Sequence, residues 1–451
     1  MQTLQYGVNN KMLNLHQMPE YTFPEPILWG SATAGHQIEG DNIHSSHYHR
    51  ELANPEYYVE PSGKACNSWE LYKEDIELLK KLGHQAYRFS IEWCRIQPEE
   101  GKIDEAAVAH YQDMLDRLAE AGIHSSVTLV HFTVPQWFAE KGGFTNQENL
   151  HYFTEYIDYI VPKIADRVDS WTILNEFNLN RTLVPAAIDA KVGQLKAHAL
   201  GAQAVRQYSK APISSAHAFV HQDPVRPLDK FDRTMADLAD WLANEFFFHA
   251  VRTGEIVLPY RDMEYMPELK DSCDYWAVNY YHRCPITARK ATGTGTKLEF
   301  ARYKLVDCDF GQREFNPESF MQCVSRITDK PVWITENGIC CDDDRFRIIY
   351  TMLQLEAMKM ALAYYPQLKI KAYMHWSLLD NYEWSSYVPR FGLCDVDRKS
   401  FERTPKPSAW FLKEVIERNG FSGELFEKYV PELSGFKLYG GANKAIGITI
   451  N

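Results

Sequence analysis

Eight short, nearly unbroken apolar runs limit what this chain can fold into: Leu28 to Thr33, Ala86 to Ile91, Ser125 to His131, Ser170 to Leu174, Ile213 to Ala218, Tyr275 to Tyr280, Val332 to Thr335 and Ala372 to Trp376. A strand with one wet face alternates apolar and polar residues. A strand of a parallel sheet covered on both faces reads as continuous. Between the runs lie stretches such as SWELYKEDIELLKKLG, EAAVAHYQDMLDRLAEAG and NLHYFTEYIDYIVPKIADR, with apolar residues three and four apart and some ending in Gly. The alternation predicts an α/β fold, a single (β/α)₈ barrel over residues 1–451. Such barrels run longer than the average domain, and no Pro/Gly/Ser linker or low-complexity block divides the chain. Asp41 to Cys66, Thr182 to Gly193 and Cys284 to Gln312, rich in polar and turn-forming residues, are expected as loops at the mouth or rim.

The remaining composition narrows the partners. Acidic residues outnumber basic ones 60 to 48, a formal charge of −12 with no strongly basic stretch, which argues against nucleic acid. The nine Cys lack metal-ligand spacing, and Cys340 and Cys341 are adjacent, so they read as reduced thiols buried like small hydrophobes. His44, His47 and His49 read as surface or loop histidines, and Asp342 to Asp344 as a solvated run capping the next helix, so no metal and no cofactor is expected. The first twenty residues hold no signal-peptide core and no window approaches the length of a membrane span. A cytoplasmic protein without membrane contact is expected.

Barrel enzymes carry their chemistry at the C-terminal ends of the strands. Here those ends hold Gln37, Glu39, Arg88, His131, Asn175, Glu176, Asn279, Tyr281, Glu336, Asn337 and Trp376, with Asp380, Glu383 and Trp384 just beyond. Glu176 and Glu336 follow the apolar segments WTIL and PVWIT, where packing alone would place a hydrophobic or a turn residue. A single strand-end Glu is most often a cap or a solvated residue. Two across one mouth match glycosidic bond cleavage, which needs one acid for the leaving oxygen and one carboxylate to attack or to activate water. Arg88 is suited to keep one of them ionised, and that charge would raise the pKa of the other. Asn175, Gln37 and His131 offer neutral hydrogen-bonding groups for sugar hydroxyls.

Seven stretches then resemble one family in its own order: LWGSATAGHQIEG, YRFSIEWCRIQP, HFTVPQW, TILNEF, AVNYY, ITENG, and WSLLDNYEW followed by RFGL and VD. They span about residues 28 to 397 and are similar to glycoside hydrolase family 1, the β-glucosidase and β-galactosidase family with a (β/α)₈ fold. The resemblance implies a retaining exo-β-glycosidase acting on terminal β-linked glucose, galactose or fucose of small glycosides or oligosaccharides, with Glu336 as nucleophile and Glu176 as acid/base. It implies that Gln37, His131, Asn175 and Glu383 hold the sugar's hydroxyls, with Trp376 beneath the ring and Trp384 offering its indole N–H. Arg88, Asn279 and Tyr281 would orient the two carboxylates, held roughly 5 to 5.5 Å apart as retention requires. The family includes monomers, dimers and larger assemblies, so a homo-oligomer stays open.

Two positions depart from the family pattern: Phe177 replaces the Pro after the Asn-Glu pair, and Thr133 replaces an Asp after the His and aromatic residue. Altered packing on the aglycone side is expected from both. The segment from Trp384 to Arg390 is also about one residue short of many relatives, so Tyr387 has no assured counterpart. The alternatives are a 6-phospho-β-glycosidase and a non-catalytic sugar-binding relative. Against the first stands Glu383, whose charge would repel a phosphate; against the second, the intact pair Glu176 and Glu336.

Overall fold

The computed structural model describes residues 15–431, apart from 181, 290–304, 309–310 and 315–317, together with 438–439. Eight parallel strands close into a barrel: β1 (Leu28–Ala32), β2 (Ala86–Ser90), β3 (His124–Val130), β4 (Ser170–Asn175), β5 (Ile213–Ala218), β6 (Trp276–Asn279), β7 (Val332–Asn337) and β8 (Ile370–Trp376). They follow chain order round the ring, with β8 pairing back onto β1. Each coincides within one or two residues with an apolar run, and β2, β4, β5 and β6 are buried at every residue.

Eight helices follow the strands in turn: α1 (Ser68–Lys81), α2 (Glu105–Glu120), α3 (Leu150–Ile164), α4 (Pro185–Arg206), α5 (Phe246–Thr253), α6 (Glu318–Val324), α7 (Asp344–Tyr364) and α8 (Pro407–Arg418). Their ends obey local chemistry. Asp104 caps α2 by accepting from the amides of Ala106 and Ala107, and Asp343 caps α7 through Arg345 N–H. Glu70 lies in the first turn of α1 and Lys80 and Lys81 in its last, each charge matched to the helix dipole.

The main core fills the space between strands and helices, while a smaller cluster of Ala32, Ala86, Ala372, Met374 and Trp376 lies inside the barrel. Gly30 shows how tight that interior is, because a Cβ there would stand 2.0 Å from Ala86 O. Any side chain at this position would push β1 off β2.

Two of the expected loops are partly helical. Asp41 to Cys66 contains a helix at Ser46–Ala53, capped by Ser45. Most of Thr182 to Gly193 belongs to α4, with Pro185 in the first turn, where its missing N–H costs nothing. Of Cys284 to Gln312, Cys284–Ile286 pairs with Gln222–Pro224, and much of the remainder lies outside the described residues. Among the described residues no helix is long and apolar enough to cross a membrane.

Candidate active site

The two strands that end in the predicted carboxylates are both irregular just before them. Between Ile334 and Asn337, β7 advances three residues while β8 advances two, from Tyr373 to His375; on its other side Val278 pairs with Ile334 but Asn279 with Glu336. This extra residue is a β-bulge. As a result Thr335 and Glu336, adjacent in sequence, both reach inward: Thr335 Oγ1 donates to Asn279 Oδ1 (2.7 Å), and Glu336 meets Arg88. Asn337 turns to the helix side, bonding Tyr280 O, Tyr350 and Tyr373. Likewise β4 advances three residues from Thr172 to Asn175 against two on β5. Gly338 lets β7 leave the barrel close to β8, since a Cβ there would lie 2.0 Å from Trp376 O.

One hydrogen-bonded network joins the strand ends. Arg88, 0% exposed, donates from Nη1 to Glu336 Oε1 (2.6 Å), from Nη2 to Asn175 Oδ1 (2.6 Å) and from Nε to Thr128 Oγ1 (3.1 Å). Tyr281 OH donates to the other oxygen, Glu336 Oε2 (2.7 Å). Asn279 Nδ2 donates to Glu176 Oε1 (3.0 Å) and to Asn175 Oδ1 (3.1 Å). Burial raises the Glu336 carboxyl above its ordinary value, while Arg88, Tyr281 and Asn279 all pull it back. A carboxylate held between a guanidinium and a phenol is thereby kept able to ionise in a dry site.

The same network fixes a histidine tautomer. Asn175 Oδ1 already accepts from Arg88 and Asn279, so its Nδ2 donates to His131 Nε2 (3.1 Å), which leaves the ring proton on Nδ1. Among the described residues Nδ1 of His131 has no partner, nor has Oε1 of Gln37, whose Nε2 donates to Asn381 Oδ1, Tyr382 O and Glu383 Oε2. One buried donor and one buried acceptor therefore stand ready for hydroxyl groups. His131 also lies nearly parallel to Trp376 (5.6 Å, 19°) and to Trp384 (6.0 Å, 17°).

These groups border a cavity of about 210 Å³, lined by His131, Glu176, Tyr281, Glu336, Trp376, Glu383 and Trp384 and, on further sides, by Phe132, His282, Ile339, Cys340, Tyr350 and Phe391. Three of its non-glycine residues hold a left-handed backbone: Glu176 (φ 47°), Phe132 (φ 67°) and Trp384 (φ 60°). Each costs about 1–2 kcal/mol, which the surrounding packing has to offset. Among the described residues no group of three or more His, Cys, Asp and Glu is placed to hold a metal ion.

The family model described as glycosyl hydrolase family 1 matches residues 19–421. The chain belongs to glycosyl hydrolase family 1. It is a glycoside hydrolase, and its relatives in the family are spread widely. Beta-glucosidase A of Thermotoga maritima is 30% identical, with 88% of this chain and 98% of that protein covered; a beta-galactosidase of Sulfolobus acidocaldarius is 26% identical, with 90% and 97% covered. The solved beta-glycosidase from Pyrococcus horikoshii superposes with a TM-score of 0.79 at 31% identity, covering 91% of this chain and 98% of that one.

Within this family 1 chain the predicted residues Gln37, Arg88, His131, Asn175, Glu176, Asn279, Tyr281, Glu336, Trp376, Glu383 and Trp384 all meet in the network or the cavity. Three others from the strand ends do not: Asn337, turned to the helix side, Glu39 and Asp380. Glu39 pairs with Arg95 (2.6 Å) and accepts from Tyr111 OH, and Asp380 is held by Lys406 and Gly392 N–H. Glu39 and Asp380 are thus held by partners distant in sequence and are not among the residues lining the cavity. His47 does not lie free in a loop, because its ring packs against His36 and Trp384. Thr133 donates to Glu92 Oε2 (2.6 Å), and Phe177 is buried against Phe246 and Phe247. Tyr387 is tied back to the first long connection, through Glu60 and Ser62. The sequence pattern missed Phe132, His282, Ile339, Cys340, Tyr350 and Phe391; the nearest signal is that Phe132 and Phe391 lie within the HF and RFGL motifs, and that His282 and Ile339 follow directly on NYY and ENG.

Glu383 differs from the charged residue that the sequence suggests. Desolvation, then Cys340 and Glu336, push its carboxyl up to about 8, so it is mostly neutral at pH near 7. Its charge therefore does little to repel a phosphate, but none of the described residues lining the cavity is a Lys or Arg that would attract one. The raised value also has a thermodynamic sign. Between the ordinary 4.5 and about 8 the folded state keeps a proton that the unfolded state has lost, so this contribution to stability is full below 4.5 and gone above about 8. Glu383→Gln, neutral throughout, is expected to melt higher than wild type at about pH 9 and to lose that advantage at about pH 4 in a fluorimetric melting series. An equal difference at both ends would mean that Glu383 ionises as it does in water.

Proposed function

We propose that the chain is a retaining exo-β-glycosidase that removes a terminal β-linked glucose, galactose or fucose from small glycosides, with Glu336 as nucleophile and Glu176 as acid/base. One observation carries the reading: Glu336 gripped by Arg88 and Tyr281 in the same cavity as Glu176, with Asn279 donating to Glu176. In the first step the Glu176 proton passes to the glycosidic oxygen, the aglycone leaves as an alcohol, and a Glu336 oxygen bonds to the anomeric carbon. In the second Glu176, now a carboxylate, takes a proton from water, whose oxygen displaces Glu336. Two inversions at one carbon leave the configuration retained.

Around that centre, His131 Nδ1–H and Gln37 Oε1 bind hydroxyls of the terminal sugar, Glu383 in its protonated form donates to another, Trp376 lies beneath the ring and Trp384 offers its indole N–H. The reading carries with it one catalytic domain and a reducing, cytoplasmic setting, to which the eight free thiols among the described residues are suited.

The test is a panel of nitrophenyl β-glucoside, β-galactoside, β-fucoside and 6-phospho-β-glucoside, with kcat/KM for each and the product anomer read by NMR. At least one neutral sugar is expected to be cleaved about tenfold or more faster than the phosphorylated one, with the β-anomer released first. Preference for the phosphorylated substrate, release of the α-anomer, or sugar binding without turnover on the whole panel would each overturn the reading.

A further inference from the structure

Glu176 sits at a left-handed turn that no proline stiffens, since Phe177 follows it. Its backbone is tied to β5 by Glu176 N–H to Ala216 O (2.8 Å), and the turn closes with Leu179 N–H to Glu176 O (3.1 Å). Beyond that point the backbone ladder between β4 and β5 ends. A side chain continues it. Asn178, 0% exposed, accepts the Ala218 N–H at Oδ1 (3.0 Å) and donates from Nδ2 to Ala218 O (2.8 Å), making with its carboxamide the pair of bonds that a strand neighbour would make. The same Nδ2 reaches Ala243 O (2.7 Å), in the wide π-helical turn Trp241–Glu245, and His217 Nε2 (3.2 Å). Lys191 Nζ donates to the Asn178 carbonyl (3.3 Å).

The position of Ala218 links this clamp to chemistry. Ala218 pairs in register with Asn279, and Asn279 Nδ2 donates to Glu176 Oε1. Thus the backbone of Glu176, through Asn178, and its carboxyl, through Asn279, are referred to the same residue of β5. We infer that Asn178 is a positioning residue for proton transfer: it holds the turn so that the Glu176 carboxyl stays on Asn279 and within reach of the glycosidic oxygen. Only a carboxamide of this length both donates to Ala218 O and accepts from Ala218 N–H. Alanine loses both bonds, and aspartate turns a donor into a charge facing two carbonyls.

The inference rests on Glu176 being the acid/base, and the test separates the two. A leaving group that departs as a stable anion needs no proton, whereas an alkoxide does. Wild type, Glu176→Gln and Asn178→Ala are compared by kcat/KM on 2,4-dinitrophenyl β-glucoside and on an alkyl β-glucoside, or on the matching pair of whichever sugar the enzyme prefers. Asn178→Ser, which keeps one hydrogen-bonding group, replaces Asn178→Ala if that variant does not fold. Asn178→Ala is expected to lose about 10- to 100-fold on the alkyl substrate and less than about threefold on the dinitrophenyl one, because a displaced acid fails only where a proton is required. A loss shared equally by both substrates marks Asn178 as structural and overturns the inference, as does no loss on either. If Glu176→Gln shifts the ratio and the Asn178 variants do not, only this inference falls. If Glu176→Gln leaves the ratio unchanged, the acid/base reading falls and takes the inference with it.

Discussion

Replacing Glu336 by glycine is expected to lower kcat on an aryl β-glycoside by about four orders of magnitude or more, the scale seen when a covalent nucleophile is removed. The reason is geometric as well as chemical. Arg88 and Tyr281 each hold one oxygen of the carboxylate, so it is oriented before substrate arrives, and both contacts oppose the rise that burial gives its pKa. Water occupying the space of a lost side chain has neither the orientation nor the nucleophilicity. The deletion also has a positive signature. A small anion such as azide, placed where the carboxylate stood, is expected to restore turnover and to release the glycosyl azide of the α configuration, because only one inversion then takes place. Wild-type turnover in the variant, or a β-azide product, would remove Glu336 from the mechanism.

The second large effect is expected at Arg88. Its guanidinium is 0% exposed and lies in the barrel interior with Glu336, Asn175 and Thr128 as partners, so Arg88→Met leaves a buried carboxylate uncompensated. Losing one member of a buried ion pair costs about 3–5 kcal/mol of folding stability, visible as an earlier denaturant midpoint. Activity responds separately. Arg88 is the largest of the influences that lower the Glu336 carboxyl, so without it that carboxyl ionises only at higher pH. The acidic limb of the kcat/KM profile should therefore move up in pH, with the loss greatest in acid. A variant with lowered stability and an unmoved acidic limb would show that Arg88 supports the fold but not the charge of Glu336.

How much of this was legible in the sequence follows from where each residue gets its constraints. The eight strands are readable because β2, β4, β5 and β6 are buried along their whole length and so tolerate few polar residues. The start of α4 is not. Pro185 and Gly193 read as loop formers, yet the helix is buried at Ala187, Ile188, Val192 and Gly193 without a single wet face, and Gly193 is there because a Cβ would meet Phe144 O at 1.8 Å. The short helix Ser46–Ala53, SHYHRELA, has no apolar stripe to announce it. At the site, Glu176 and Glu336 stand out because they break apolar segments, and the neighbouring motifs place their partners. Glu39 and Asp380 break the pattern equally well, but their partners Arg95 and Lys406 are 56 and 26 residues away, and spacing does not reveal the pairing. Asn178 looks like any polar residue after a strand, since the carbonyls it serves, at Ala218 and Ala243, belong to backbone that side-chain patterns do not encode.

The irregular pairing at the ends of β4 and β7 makes the active site sensitive to a different kind of change from the one usually considered. Along a regular strand, which side a residue faces is decided by whether its number is odd or even. In β7 the inserted residue reverses that phase just before Glu336, which is why Glu336, not Asn337, looks inward. Deleting Thr335, the one residue between Ile334 and Glu336, would restore a regular ladder and leave Glu336 facing inward, but in the place Thr335 holds against Asn279 rather than in its present one between Arg88 and Tyr281. An indel of one residue there can thus preserve the barrel and silence the enzyme, whereas the same indel in an exposed loop at the opposite end of the barrel leaves the phase of every strand untouched.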